Sequence, residues 1–326
     1  MNTAFWKSTL RFVRFGCFGL SVLGTIKTSA SVTVNTEYVN KPVVFLYAAD
    51  AAGNVAPDKP LGTGFIVQAP KVSDPKSSYK LLVTARHIVD PQWAHCPDQN
   101  PARIFMRINK KSFDAKTDSV GTVDVPLTLI ENGRPTWVSS SDSEVDAAII
   151  PVAGLINQDA QDISAVNVAD FPTADELKKF ATGDEVISAG LLPGASGKKR
   201  NYPVFKFGNI SSIPDEPIDS VCIPPGLRQA YPRGTPAYSE KLWLVAASLA
   251  PGNSGSPIFF MPAGSGGLRM DPRRPVLLGV QSTSFIPWDL AGMTPVQYVY
   301  DMIEKMKLPD IDLHRNAPPV QPETGN

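Results

Sequence analysis

Three residues of this chain have the types and surroundings needed for acyl transfer to a serine. Ser254 lies between two glycines in the stretch APGNSGSP, residues 250–257, just ahead of the apolar run IFF. His87 follows the stretch LLVTAR, residues 81–86, and Asp146 opens the stretch DAAII, residues 146–150. A nucleophilic serine needs a base that takes its proton and an anion that orients the base. The residues therefore indicate nucleophilic catalysis by Ser254, with His87 as the base and Asp146 as the orienting carboxylate.

Each of these residues also has a purely structural interpretation. His87 alone would pass for a loop histidine, and Ser254 for a turn serine in a Gly-Asn-Ser-Gly bend. Asp142 and Glu144 are acidic alternatives to Asp146, but only Asp146 directly enters the apolar run. A carboxylate buried at that position must have polar partners. We favour the catalytic interpretation because the three sequence contexts occur together.

The order His, Asp, Ser, with these three contexts, resembles that of the trypsin/chymotrypsin-like serine peptidases, in particular the bacterial type of trypsin-like peptidase domain. The resemblance extends over residues 42–308. It implies an all-β, chymotrypsin-like fold of two six-stranded antiparallel β-barrels with a C-terminal helix. It also implies that the N–H groups of Gly252 and Ser254 form the oxyanion hole. A lipase-type elbow is excluded, because Ser256 replaces the last glycine of G-x-S-x-G and a strand follows.

Two residues beside the proposed triad depart from the family pattern. Arg86 replaces the small residue that most often precedes the histidine, and an inward-pointing guanidinium would oppose a cationic His87. Asn253 stands where relatives activated by N-terminal cleavage carry an aspartate for the new ammonium group. Because asparagine cannot form that ion pair, we expect activity without such a cleavage step.

The resemblance also assigns residues to substrate binding. They lie just before the nucleophile and on the strand that follows it: Ser248, Gln281, Ser282, Thr283 and Ser284. Ser248 occupies the position where trypsin-like members place an aspartate for basic side chains, and Gln281 the position of a histidine in glutamate-specific relatives. Neither preference is therefore expected, and an apolar or mid-sized P1 residue remains. Ser282 is also expected to support Asp146.

Short strands must position these residues. Six β-type runs separated by turn residues lie between residues 43 and 152, and five more lie between residues 185 and 281. A capping signature, TADE at residues 173–176, indicates a helical link. Apolar residues at helical spacing from residue 296 to about 308 predict a C-terminal helix. We predict one barrel over residues 31–172, a second barrel with the helix over 173–308, and a disordered tail over 309–326.

Residues 1–30 have the pattern of an export signal, with a basic start, an apolar stretch and small residues before Ala30. The alternative, a membrane anchor, is disfavoured because the apolar stretch over residues 15–26 is shorter than the roughly 20 residues that span a bilayer. We expect cleavage near Ala30, a secreted or periplasmic protein and no stable membrane insertion. The remaining chain has 27 basic against 31 acidic residues, so no nucleic-acid partner is expected.

The sequence leaves open whether the cysteines form a disulfide. Cys96 and Cys222 remain after cleavage, and they are compatible with one disulfide or with two unpaired thiols. The three histidines are too scattered to predict a metal site, and we expect no cofactor. The proline-rich stretch 214–236 predicts an irregular surface loop. The sequence does not indicate whether this loop covers the cleft of the active site. Oligomeric state has no sequence signal.

These features predict an exported serine endopeptidase that hydrolyses protein or peptide substrates through an acyl-enzyme. Two alternatives share the same residues. One is a catalytically silent binding protein on the same fold, since a fold does not fix a function. The other is an esterase that uses the same triad.

Overall fold

The computed structural model describes residues 36–95, 101–221, 237–247, 252–261, 275–285 and 288–315. The predicted export signal, the pairing of Cys96 with Cys222, Ser248, residues 222–236 and most of the predicted tail lie outside these ranges. Within them, no helix is long and apolar enough to cross a membrane.

The first half of the chain forms an eight-stranded sheet. After a short helix α1 (Thr36–Asn40), its elements are β1 (Val43–Ala49), β2 (Val55–Pro70), β3 (Ser78–Thr84), α2 (Arg86–Val89), β4 (Arg103–Asn109), β5 (Thr122–Thr128), β6 (Ile130–Glu131), β7 (Arg134–Pro135), β8 (Val138–Ser139), β9 (Ala148–Pro151) and β10 (Val166–Asn167). The strand order is β5-β4-β1-β2-β3-β9-β8, and β10 pairs with β2 in parallel. The small hairpin β6–β7 stands apart from this sheet.

The two ends of this strand order come from one stretch of chain. Strands β5 and β8 lie within residues 122–139, and the N–H of Thr136 donates to the carbonyl of Leu129 at 3.0 Å between them. The sheet therefore has six strand positions, and β5 and β8, which follow one another along the chain, share one of them. Two strands exceed the predicted six: β8, which the β6–β7 hairpin separates from β5, and β10, which pairs with β2 in parallel.

Alternate residues of this sheet enter two different cores, as a period of two requires. One set forms a cluster within the first half: Val44, Leu46, Ile66, Leu82, Ile104, Met106, Leu127 and Ile150. The opposite set, which includes Phe45, Phe65, Val83 and Ile149, packs in a cluster shared with the second half. The first sheet is thus held to the second half by its own outward-facing apolar residues.

The second half contains a closed six-stranded antiparallel barrel in the order β11-β12-β15-β18-β17-β16. A 3-10 turn (Val168–Asp170) and α3 (Ala174–Leu177) lead into β11 (Glu185–Gly190), β12 (Val204–Ser212), β13 (Ile218–Val221), β14 (Ala237–Glu240), β15 (Trp243–Ala246), β16 (Pro257–Phe260), β17 (Val276–Phe285), β18 (Leu290–Pro295) and α4 (Val296–Lys305). Within the described residues, β13 and β14 pair only with each other; this antiparallel pair, outside the barrel, is called the β13–β14 hairpin below. The mostly β architecture with a C-terminal helix confirms the predicted fold class.

The two predicted helical signals are also confirmed. Thr173 caps α3 by accepting from the N–H of Glu176 at 3.2 Å, and Glu176 Oε2 accepts from the N–H of Thr173 at 2.7 Å. The C-terminal helix α4 buries Val296, Val299 and Ile303 against the shared core.

Candidate active site

Backbone pairing brings His87 and Asp146 together. Strand β3 ends at Thr84, which pairs with Ala148 of β9, so the residues just beyond these strand ends are neighbours. Asp146 Oδ1 accepts from the N–H of His87 at 3.0 Å, and Oδ2 lies 2.7 Å from His87 Nδ1. An ionised carboxylate only accepts hydrogen bonds, so Nδ1 carries a proton and donates it to Asp146. In the neutral ring, the other nitrogen, Nε2, is then unprotonated and available to accept a proton.

Burial and charge act on this pair in opposite directions. The Asp146 side chain is fully buried, whereas 24% of the His87 side chain is exposed. Burial of the ring lowers the pKa of His87, but the charge of Asp146, their hydrogen bond and the charge of Glu240 outweigh it, and the pKa of His87 is raised. The pair therefore favours the imidazolium, the form that a general base passes through.

The other acids near Asp146 have a different role. Asp142 and Glu144 form ion pairs with Lys241, with oxygen–nitrogen distances of 2.7 and 3.2 Å. All three side chains are partly exposed. The structure therefore brings Asp146, and neither alternative, to His87.

The turn that carries Ser254 depends on glycine at two positions. Gly252 and Gly255 have φ angles of 98° and 85°, in the region that side chains with a Cβ rarely adopt. A Cβ at Gly255 would also lie 2.0 Å from the carbonyl oxygen of Thr63 and 2.4 Å from the hydroxyl of Thr84. This part of the turn is pressed against the strand β3 that leads to His87.

Thr63 of β2 holds the turn from the first sheet. Its N–H donates to the carbonyl of Ser254 and its hydroxyl to the carbonyl of Gly252, both at 2.8 Å. From the second barrel, the N–H of Gly255 donates to the carbonyl of Gln281 at 2.7 Å. The candidate nucleophile is thus fixed to both halves of the protein.

The hydroxyl of Ser254 donates to the carbonyl of Ser282 at 3.2 Å. In the described part of the chain it makes no hydrogen bond with His87. Catalytic hydrogen bonds of unliganded enzymes are often long and tighten only when substrate binds. The structure thus has the His87–Asp146 bond in place, while Ser254 has yet to turn towards His87.

The predicted oxyanion donors have the required free hydrogens. Among the residues described, the N–H groups of Gly252 and Ser254 donate to no acceptor. One of these donors is the N–H of Ser254 itself, and an oxyanion hole requires such unpaired donors.

The two departures from the family pattern have local partners. Arg86 donates through Nε and a terminal nitrogen to Asp90, both at 3.1 Å, and its guanidinium carbon lies 5.1 Å from the centre of the Trp93 ring. Its charge is therefore compensated by Asp90. Asn253 is fully buried, and its amide donates to the neutral carbonyl of Leu191 at 3.1 Å.

The side chain of Gln281, which was predicted to bind substrate, is fully buried. Its amide donates to the carbonyl of Thr283 at 3.1 Å and to the hydroxyl of Ser284 at 3.0 Å. These bonds span the irregularity between Gln281 and Ser284 where β17 pairs with β18. Gln281 therefore stabilises the strand from inside, and the partly exposed Thr283 and Ser284 remain substrate-binding candidates.

Ser282 does not support Asp146 as expected. Both carboxylate oxygens of Asp146 accept from His87, and the buried hydroxyl of Ser282 has no hydrogen-bond partner within the described ranges. Instead, Ser282 lies close enough to Glu240 to lower the pKa of that residue. Its backbone carbonyl, which accepts from Ser254, is the part that contacts the site.

Sequence reasoning missed Glu240. This residue ends β14 and is fully buried. Burial and the charge of Asp146 raise the pKa of Glu240 to about 7, although nearby serine hydroxyls and the charge of His87 oppose the rise. Nothing in the local sequence YSEKLW distinguishes Glu240 from a surface acid, because its burial depends on contacts with distant segments.

Solved structures that resemble this chain include bacterial protease domains. The protease domain of MamO from Magnetospirillum magneticum, in its apo form, is 13% identical, with 82% of this chain and 97% of that chain covered and a TM-score of 0.46. The active form of the Rv3671c protease from M. tuberculosis is 15% identical, with 87% and 85% covered and a TM-score of 0.45. Its inactive form is 16% identical, with 83% and 91% covered and a TM-score of 0.41.

No family model and no curated protein matches the sequence. At such low identities, structural likeness concerns the fold, and the chemistry must be argued from this chain's own contacts.

Proposed function

We propose that this chain is a serine endopeptidase that hydrolyses peptide bonds through Ser254, His87 and Asp146. The observation that carries the proposal is the buried pair of bonds from Asp146 to the ring and backbone of His87, at 2.7 and 3.0 Å. This pairing favours the neutral tautomer in which Nε2 is unprotonated, as a general base requires. The glycine turn held by Thr63 supplies a serine and two N–H groups that are unpaired within the described ranges.

Each residue has a defined part in the proposed reaction. Ser254 Oγ attacks the scissile carbonyl carbon, and its proton passes to His87 Nε2. Asp146 stabilises the imidazolium that forms. The N–H groups of Gly252 and Ser254 bind the oxyanion. His87 then protonates the leaving amine, and a water molecule activated by the same ring releases the acyl group from Ser254.

The reaction begins with a rotation of the Ser254 side chain. In the resting structure its hydroxyl donates to the carbonyl of Ser282. A change of the χ1 rotamer exchanges this neutral bond for one to His87 Nε2. Exchanging one hydrogen bond for another costs little, so the resting orientation is compatible with catalysis.

We also propose that the protein works outside the cytoplasm on proteins or peptides. The support is the sequence of residues 1–30, with four basic residues, an apolar stretch and small residues before Ala30. Sequencing the N-terminus of the mature protein tests this point. A mature chain that begins near residue 31 agrees with export, and a chain that retains residues 1–30 contradicts cleavage.

One observation favours a second candidate, a catalytically silent protein on the same fold. The Ser254 hydroxyl is bonded to Ser282 and not to His87. If that orientation were permanent, the base could not activate the nucleophile. The two candidates differ in whether Ser254 reacts.

Labelling with a serine-directed fluorophosphonate separates them. We expect the folded wild-type protein to be labelled at Ser254, and Ser254→Ala to be unlabelled. Ser256→Ala is the matched control, because it removes a buried hydroxyl without a partner from the same turn and should leave labelling intact. A folded wild-type protein that resists the reagent would contradict the peptidase proposal and favour the silent protein. If labelling succeeds, parallel assays with peptides and simple esters distinguish the endopeptidase from an esterase.

A further inference from the structure

A buried carboxyl group that the proposed reaction does not use lies beside the His87–Asp146 pair. Glu240 is the last residue of β14, in the hairpin that stands outside both large sheets. The N–H of the next residue, Lys241, donates to the carbonyl of Glu144 at 2.7 Å. This bond holds the end of the hairpin against the segment that leads into Asp146.

The same hairpin also packs on the segment that follows His87. The rings of Tyr238 and Trp93 meet edge to face, with centroids 4.9 Å apart. The indole nitrogen of Trp93 donates to the carbonyl of Ser143 at 2.7 Å. Two sets of contacts therefore place Glu240 where the His87 and Asp146 segments meet.

Among the described residues, neither carboxylate oxygen of Glu240 makes a hydrogen bond of ordinary geometry, although the hydroxyls of Ser220, Ser282 and Tyr238 lie close enough for their interaction with Glu240 to shift pKa values. The hydroxyls of Ser220 and Ser282 are buried, and they also make no hydrogen bond of ordinary geometry there. An ionised carboxylate without partners in a fully buried site is costly. A protonated carboxyl group avoids most of that cost and gains an O–H that can donate.

The charged and titratable groups that act on Glu240 are Asp146, His87 and Tyr238. Burial and the negative charge of Asp146 raise the pKa of Glu240, whereas a positive charge on His87 lowers it. In return, Glu240 contributes to the raised pKa values of His87 and Tyr238. The adjacent Lys241 points its ammonium group to the acids at positions 142 and 144.

We propose that Glu240 is a positioning residue, a second buried acid whose charge is coupled to the His87–Asp146 pair and sets the pH at which His87 becomes an unprotonated base. This role rests on the proposed peptidase function, although the electrostatic coupling can be measured without turnover. Glu240 forms no bond to substrate and acts through charge alone. Protonated, it leaves the pair with the single negative charge of Asp146. Ionised, it adds a second negative charge that stabilises the imidazolium.

The test follows the titration of His87 by NMR in protein with labelled histidine rings, from about pH 4 to about pH 9. His87→Gln identifies the His87 signal among the three histidines. We expect Glu240→Gln to lower the midpoint of His87 by roughly 0.5–1 pH unit, because a neutral amide replaces a negative charge. Asp219→Asn removes an exposed acid from the paired strand β13, and it should leave the midpoint unchanged.

A second measurement uses the unmutated protein, in case Glu240→Gln does not fold. Labelled glutamate carboxyl carbons should include one that titrates near neutral pH, with a second inflection where His87 titrates. If every glutamate titrates below about pH 5.5, near the ordinary range, the proposal is overturned. An unchanged His87 midpoint in a folded Glu240→Gln variant overturns it as well.

Turnover distinguishes this proposal from the proposed function. In an active protein, the acidic limb of the kcat/KM profile should move with the NMR midpoint in Glu240→Gln, while Glu240→Asp, which keeps a carboxyl group, should stay closer to wild type. A protein that resists fluorophosphonate but shows the NMR shift would contradict the peptidase function and support the coupling. A protein that reacts with fluorophosphonate but shows no NMR shift would support the peptidase function and contradict the coupling.

Discussion

The N–H of Thr63 donates to the carbonyl of Ser254 at 2.8 Å, and so joins a strand of the first sheet directly to the candidate nucleophile. The hydroxyl of Thr63 donates to Gly252 at 2.8 Å and accepts from the N–H of Leu191 at 2.9 Å. Its carbonyl accepts from the hydroxyl of Thr84 at 2.7 Å. This fully buried threonine therefore sets where the serine stands relative to the first sheet.

Thr63→Val keeps the shape of the side chain but removes both hydroxyl bonds. We expect the free energy of unfolding to fall by about 1–3 kcal/mol, because the Gly252 carbonyl and the Leu191 N–H lose their partner. We expect kcat/KM to fall by up to about 100-fold through displacement of the turn. Urea titrations and peptide hydrolysis measure the two effects. Thr63→Ser keeps the hydroxyl and is the control, and wild-type turnover by Thr63→Val would contradict this role.

Substitutions of the three proposed triad residues should lower kcat by different amounts. We expect Ser254→Ala and His87→Ala to lower kcat by up to the order of 10⁶, because triad members act as a unit. Asp146→Asn should cost on the order of 10⁴, because the amide favours the wrong tautomer of His87. Asp142→Asn is the matched control, since it weakens a partly exposed ion pair and keeps an oxygen that can accept from the N–H of Glu144. Full turnover by a folded Ser254→Ala variant would refute the assignment.

Stability should fall as pH rises from about 4.5 to about 7. Because the folded state raises the pKa of Glu240 from 4.5 to about 7, the unfolded chain releases its proton first. The raised pKa of His87 acts in the same direction. Glutamine does not titrate, so Glu240→Gln should escape this loss. The difference in unfolding free energy between Glu240→Gln and wild type should therefore shift in favour of the variant by up to about 3 kcal/mol between pH 4.5 and pH 8. Urea titrations at both pH values test this, and parallel changes in the two proteins would contradict it.

Asn253→Asp should destabilise the folded protein. The substitution replaces the amide donor with an acceptor opposite the carbonyl of Leu191, in a fully buried site. We expect a loss of about 2 kcal/mol or more at neutral pH. The loss should shrink at low pH, where a protonated carboxyl can donate again. Thermal unfolding of the variant and wild type at a series of pH values measures the loss at neutral pH and its decrease at low pH. An Asn253→Asp variant as stable as wild type at every pH would show that the contact is unimportant.

An extended N-terminus should not reduce activity. Asn253 carries no negative charge that could bind a newly formed ammonium group, and its amide donates to a neutral carbonyl. We therefore expect a mature protein with a few added N-terminal residues to cleave a peptide at the rate of the unextended protein. A large loss of rate that trimming restores would show that a free N-terminus matters.

Local sequence was sufficient where short-range chemistry determines structure. His87 and Asp146 lie at the ends of two strands, β3 and β9, whose apolar runs are recognisable in the sequence, although their pairing was not predicted. The capping signature at Thr173 depends on residues three positions apart. In both cases the relevant contacts lie close to recognisable strand or helix signals.

The remaining features depend on contacts between distant segments. Glu240 is buried by a hairpin packed on residues 93 and 144, and no local pattern encodes that packing. The Gln281 side chain turns inward at an irregularity of β17, which strand periodicity does not predict. The Ser254 hydroxyl is bonded to the carbonyl of Ser282, a contact between separate strands that local sequence does not predict.

The division of the site between the two halves has a consequence for the newly made chain. His87, in α2, and Asp146, just before β9, belong to the first half, whereas Ser254 precedes a strand of the second barrel. Under the proposed function, a chain that has folded only one half lacks either the attacking group or its base. The proposed peptidase would therefore be latent during synthesis and folding, unable to cut itself or its neighbours until both halves have folded.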